Sequence, residues 1–276
     1  MEKLGGPDTA GRGFEELTLL GAAAIRKGTK WEGYGYLRDA MHHPTSTLME
    51  GFRDLREQYL CACMNFSSAA SSLGRTSIAL FELQFIESAD GLSENYQPTL
   101  YERLGQIYRA LGDRLRAIEC ADRAVALGQE LADSRDLGYA LSIRAALARE
   151  DSDLAGALTF YQQAFEAYTS AKREPERATV LLCIGDLYVE LGRFSGARRP
   201  LAAAQQIAEA LGQQRTLAHI QLTLGDLLCR RNERDQAQPH WRAGLRIAHD
   251  LRDYGLKFRA EFRLFKQAVE DRNDAL

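Results

Sequence analysis

Tyr101–Leu131 reads YERLGQIYRALGDRLRAIECADRAVALGQEL, two amphipathic helices joined by a tight turn at Leu111-Gly112-Asp113. The pattern returns every forty residues. Gly105 is followed by Ala145, Gly185 and Gly225, Ala117 by Ala157, Ala197 and Ala237, and Ala124 by Ala164, Ala204 and Gly244. Small-residue series held in register over four copies mark a repeat protein. The small positions have a packing reason. Where two antiparallel helices cross closely, a larger side chain would hold the backbones apart, at a cost of about 1–3 kcal/mol. Leu104, Tyr108, Ile118 and Val125 flank the crossing and fill the space between layers. One hairpin cannot bury that surface by itself, so neighbouring copies complete each other's core.

These positions resemble the tetratricopeptide repeat (TPR), whose first helix reads W-x-x-L-G-x-x-Y and whose second carries A-x-x-x-F and a small residue. Tyr101, Leu104, Gly105, Tyr108, Ala117, Ala121 and Ala124 occupy that frame. So do Leu181, Ile184, Gly185, Tyr188, Ala197, Leu201 and Ala204, and then Gln221, Leu224, Gly225, Leu228, Ala237, Trp241 and Gly244. In the copy between, Arg144-Ala145 replaces the Leu-Gly pair while Ala157, Tyr161 and Ala164 keep the frame. The interval departs from the family's usual 34 residues, and the closing proline is absent. The extra length, about one and a half helical turns, is expected in the helices rather than the loops. That lengthened form is similar to repeats of bacterial regulators and signalling adaptors.

The resemblance implies an all-α fold, a right-handed superhelical α-solenoid of about six hairpins plus a C-terminal capping helix. Residues 1–13 are read as a flexible lead-in without a signal-peptide core. The array spans 14–253, with repeats near 14–43, 50–92, 95–133, 135–173, 175–213 and 215–253, and a capping helix and tail over 254–276. In the first copy Leu17, Leu20, Gly21 and Ala24 match the first-helix frame, Gly33, Leu37 and Ala40 the second, with Lys27-Gly28-Thr29 as the turn. Pro44 interrupts the register after His42-His43, an adjacent pair unsuited to a shared metal. Between helices, the Gly, Asp and Asn clusters at 111, 149, 191 and 231 stop one helix and cap the next. In the final segment Leu256, Phe258, Phe262, Leu264 and Phe265 stand among alternating charges.

Composition narrows function. Charged residues make up 26% of the chain and the net charge is -3, both signs interspersed, which gives no basic face for nucleic acid. No apolar run reaches membrane-spanning length. Cys61, Cys63, Cys120, Cys183 and Cys229 are scattered without a C-x-x-C pair and read as buried free thiols of a cytoplasmic protein. No metalloprotease, phosphate-loop or nucleophile-elbow motif is present, so neither an enzyme nor a cofactor is expected.

In the family, first helices line a concave groove that holds a partner's peptide or helix. Counting from the Leu-Gly anchors, the groove-facing positions here include Glu102, Gln106 and Arg109, then Ser142 and Arg149, then Asp186, then His219, Leu222 and Asp226. Chaperone-binding members clamp a peptide carboxylate with lysine and asparagine; Glu102, Gln106, Ser142 and Ala146 lack that clamp. Two readings stand for the charged lining: Arg109 and Arg149 receive an acidic segment, or arginines and aspartates pair across adjacent repeats. The expected function is a non-catalytic protein-binding scaffold or adaptor of a regulatory kind, its partner another protein or peptide. The alternative is a sensor of a peptide or small ligand at Met64, Ser68 and Ser71. Self-association through the aromatic tail helix is a further possibility.

Overall fold

The computed structural model describes residues 17, 20, 23, 24, 35, 36, 38, 39, 53–88 and 92–274. From Arg53 onward the described residues form eleven α-helices, and no described residue is in a strand. In order they are α1 (Arg53–Ser72), α2 (Thr76–Ser88), α3 (Gln97–Leu111), α4 (Arg114–Glu130), α5 (Ser134–Glu150) and α6 (Leu154–Ser170). Then follow α7 (Glu174–Glu190), α8 (Phe194–Ala210), α9 (Gln214–Arg230), α10 (Arg234–Asp250) and α11 (Tyr254–Asp274). The described positions before Arg53 are helical, with Leu17 and Ala24 buried. The lead-in over 1–13, Gly21, the Lys27-Gly28-Thr29 turn, Gly33, Leu37, Ala40, His42-His43 and Pro44 lie outside the described residues. The chain forms two compact units, the first ending at Ile143 and the second beginning at Arg144, within α5.

The forty-residue interval is two 17-residue helices and two three-residue turns. Each turn places its middle residue in the left-handed region: Gly112, Ala132, Ser152, Lys172, Gly192, Gly212, Asn232 and Arg252, one every twenty residues. The residue after it donates its N–H to the carbonyl five residues back, as Asp113 does to Tyr108 (2.9 Å) and Arg173 to Tyr168 (2.8 Å). This is the Schellman closure, which satisfies the last carbonyls of a helix from the backbone alone. Only three of the eight middle residues are glycine, so the turn signal is faint in the sequence at the other five. Asp113, Asp153 and Asp253 then cap the next helix through their carboxylates.

The small-residue column marks the crossings. A Cβ on Gly185 would stand 2.5 Å from Leu201 Cδ2, and one on Gly225 2.5 Å from Trp241 Cδ1, both overlapping the second helix of the same hairpin. In the second unit Leu181, Leu182, Leu201, Ile220 and Leu227 join α7, α8 and α9 in one core cluster. Ala218, Leu222, Trp241, Ala248, Leu256 and Ala260 join α9, α10 and α11 in the next, so α11 covers the preceding hairpin as the sequence suggested.

Among the described residues, no helix is long and apolar enough to cross a membrane. None of the five cysteines is in a disulfide; Cys63 is buried, and the other four are half-buried. Burial pushes the Cys120 and Cys183 thiols up to about 11, which keeps them protonated and poorly nucleophilic.

Candidate functional site

A forty-residue repeat sets which side chains meet across neighbouring first helices. Residue i touches residues i+37 and i+41 of the next copy, two positions one helical turn apart. In the first unit Thr99 Oγ1 donates to Asp136 Oδ2 at 2.8 Å. In the second, Arg149 reaches both neighbours on α7. It makes a two-pronged pair with Glu190 and lies 3.8 Å from Asp186. Asp186 accepts from Thr223 of α9. Asp226 of α9 accepts two hydrogen bonds of 2.6 Å from Arg263 of α11, and a third of 3.0 Å from Trp241 Nε1 beneath. Charged rungs thus run from the end of α5 through α7 and α9 to α11.

These rungs form the floor of a groove of 400 Å³, lined among others by Arg149, Asp186, Glu190, Asp226, Arg230 and Arg259. Its cations are not equivalent. Arg149 and Arg263 are held by carboxylates. Arg230 gives only one N–H, at 3.2 Å, to the Val189 carbonyl, and Arg259 lies 3.5 Å from His219 Nδ1. Neither has a carboxylate partner among the described residues. Burial, with Arg259 and Arg215 close by, lowers the His219 imidazole to about 4, so it is neutral at pH 7 and accepts from Arg259. Burial also raises the Asp186 carboxyl above the ordinary range, opposed by Thr223 and Arg149.

The positions chosen from sequence divide. Arg149, Asp186, Asp226 and His219 belong to this part of the second unit. Arg149 pairs closely with Glu190 and lies near Asp186, and Asp226 pairs with Arg263, so Arg149 is not an open receptor for an incoming carboxylate. Leu222 is a correction. It is 2% exposed and packs over Gly244 in the core, because it lies one turn before Gly225 and shares the face that meets α10. Leu182 is buried in the same register position.

In the first unit Gln106 is exposed and donates to Glu102 at 3.0 Å, Arg109 is exposed in the last turn of α3, and Ser142 donates to the Gly138 carbonyl at 2.8 Å. Burial, with Asp136 adding to it and Arg103 and Arg135 opposing, raises the Glu102 carboxyl to about 7. Met64 is buried, its carbonyl taken by Arg103, and offers no open ligand-binding surface; the Ser68 side chain lies outside the described residues. Glu190, Arg230, Arg259 and Arg263 were missed. The first two form a column one residue past the one counted, and the last two stand on a helix read only as a cap.

The described residues contain no cluster of three or more histidine, cysteine or acidic side chains able to hold a metal ion. Nor does any histidine or cysteine in the groove stand with a base and an orienting carboxylate as a nucleophilic site requires.

Residues 96–170 match the tetratricopeptide repeat family model. Among curated proteins, none matches the chain. Solved structures do. The tetratricopeptide-repeat-sensor protein from Pyrococcus horikoshii, a Signal Transduction ATPase with Numerous Domains, is 13% identical with a TM-score of 0.65, covering 90% of this chain and 41% of that one. BtubC from P. vanneervenii is 17% identical with a TM-score of 0.62, covering 86% and 93%. The apo form of RapI is 11% identical with a TM-score of 0.69, covering 94% and 72%. At these identities the likeness is one of fold. Tetratricopeptide repeats generally mediate protein–protein interaction and serve as non-catalytic scaffolds. Residues 96–170 thus match tetratricopeptide repeat sequence, and the described residues form all-α, TPR-like helical hairpins.

Proposed function

We propose that this chain is a non-catalytic scaffold that holds an acidic segment of another protein in the groove between α9 and α11. The observation that supports it most is the pair Arg230 and Arg259, two guanidinium groups at one groove with no carboxylate partner among the described residues. Guanidinium presents a planar fork to carboxylate, and a two-pronged contact fixes orientation as well as affinity. The paired rungs below them are held in place and contribute shape rather than free charge. A regulatory, cytoplasmic adaptor is the setting that fits this reading, in keeping with the sensor role printed for the Pyrococcus repeat array.

Capture from native lysate tests it, with wild type, an Arg230→Glu/Arg259→Glu variant and an Arg198→Glu/Arg246→Glu control. The control makes the same charge change at exposed positions of α8 and α10. A protein held by wild type and control but lost by the groove variant supports the proposal, and its retention should fall as salt is raised. Equal retention by all three removes the groove from the interaction. A small-molecule melting response with no captured protein would favour the ligand-sensing alternative.

A further inference from the structure

The outer face of α11 carries Tyr254, Phe258, Phe262, Phe265 and Val269, all exposed, Phe258 by 67% and Phe265 by 66%. Their spacing of four, four, three and four is that of one helical stripe. Leu256, Ala260 and Gln267 occupy the opposite side and are buried. Phe258 and Phe262 already stack, with ring centroids 6.3 Å apart.

The repeat register says what this face is. Forty residues earlier stand Ala218, Leu222 and Gly225, the positions by which α9 receives α10. On α11 they have become Phe258, Phe262 and Phe265. A helix crossing α11 as α10 crosses α9 would meet a phenyl ring where α10 meets bare backbone. What covers this face must therefore stand farther off, at the spacing of two side-chain layers.

We propose that it is covered by α11 of a second copy of this chain, the two helices packed in parallel about a two-fold axis. Phe262 and Val269 then take the a positions of a heptad, with Phe258 and Phe265 at d, a seam that matches itself. Glu261 falls at g and Lys266 at e, so each Glu261 meets the partner's Lys266. An antiparallel pair would instead set Arg259 against Lys266, cation on cation. In one copy these groups make only exposed contacts, Lys257–Glu261 at 3.7 Å and Lys266–Glu270 at 3.9 Å, which exchange readily. At about 150–250 Å² for a buried aromatic side chain, the stripe removes roughly 500 Å² per copy, the apolar centre of an interface nearing ~800 Å² per partner with its flanks. With five basic and four acidic residues, α11 has no charge bias toward an anionic membrane surface.

Sedimentation equilibrium on the full chain over a concentration series is the test. Wild type should pass from monomer to dimer, and Phe258→Ala/Phe265→Ala should remain monomeric with an unchanged helical circular dichroism spectrum. Glu261→Lys should weaken the dimer roughly tenfold by setting lysine against lysine, and adding Lys266→Glu should restore it. Wild type monomeric throughout, or no rescue in the doubly reversed variant, overturns the proposal. Phe262 and Lys266 also line the edge of the groove, whereas Arg230 stands on α9 away from the seam, so Arg230→Glu should abolish partner capture and leave the dimer intact.

Discussion

Gly225 and Gly105 hold the same place in their hairpins, yet an added methyl group meets different surroundings. At Gly225 it overlaps the Trp241 indole; at Gly105 the nearest atom is the Ala117 carbonyl oxygen at 3.4 Å, an ordinary contact. Gly225→Ala should therefore cost about 1–3 kcal/mol through displacement of the indole. Gly105→Ala should be neutral or gain roughly 0.5–1 kcal/mol from helix propensity. Urea denaturation of the two variants distinguishes them, and equal losses would contradict the packing account. The contrast lies in the opposing residue, Ala121 against Trp241. Which positions are small was legible in the sequence. Which of them must be glycine was not, because that depends on a contact sixteen residues away. The groove face failed for a related reason: counting back one turn from Gly225 stays on the side that meets α10, so Leu222 was assigned to the groove while it fills the core.

At the scale of an element, the helices are ended by backbone geometry more than by side-chain identity. Five of the eight left-handed turn residues carry side chains: Ala132, Ser152, Lys172, Asn232 and Arg252. A non-glycine residue in that region is strained by roughly 1 kcal/mol, less for asparagine. Lys172→Gly should thus stabilise the α6–α7 turn by about 0.5–1 kcal/mol, while Gly112→Ala, with open space around it, should cost a similar amount from backbone strain alone. Melting temperatures moving in opposite directions would verify this, and a loss in Lys172→Gly would refute it. Helix existence was legible from periodicity. The turns at 111, 149, 191 and 231 were legible from their Gly, Asp and Asn clusters, whereas Ala132, Lys172 and Arg252 give no conventional turn signal.

Across the molecule, stability should respond to pH from two sides. Glu102 has a folded value of about 7 against an ordinary 4.5, so the folded first unit prefers the protonated carboxyl. Its contribution is complete below pH 4.5, is lost as pH rises toward 7, and is flat beyond. His219 has the reverse sense, about 4 against 6.5, so the second unit loses stability as pH falls from 6.5 toward 4. Glu102→Gln should raise stability above pH 7 and flatten the limb between 4.5 and 7, and His219→Gln should flatten the limb between 6.5 and 4. Urea midpoints measured at half-unit pH steps read both effects. A His219→Gln profile identical to wild type would contradict the buried, neutral imidazole.

The left-handed residues every twenty positions have a consequence for how such a chain can change length. Each joint is closed by main-chain atoms, so one joint can be spliced to another without inventing a new corner. Excising forty residues from joint to joint would rejoin like with like. Excising twenty would bring a second-helix sequence into a first-helix slot, turning its solvent side inward. Gene-level growth or shrinkage of this array is therefore quantised: even numbers of helices are tolerated, and odd numbers invert every face downstream.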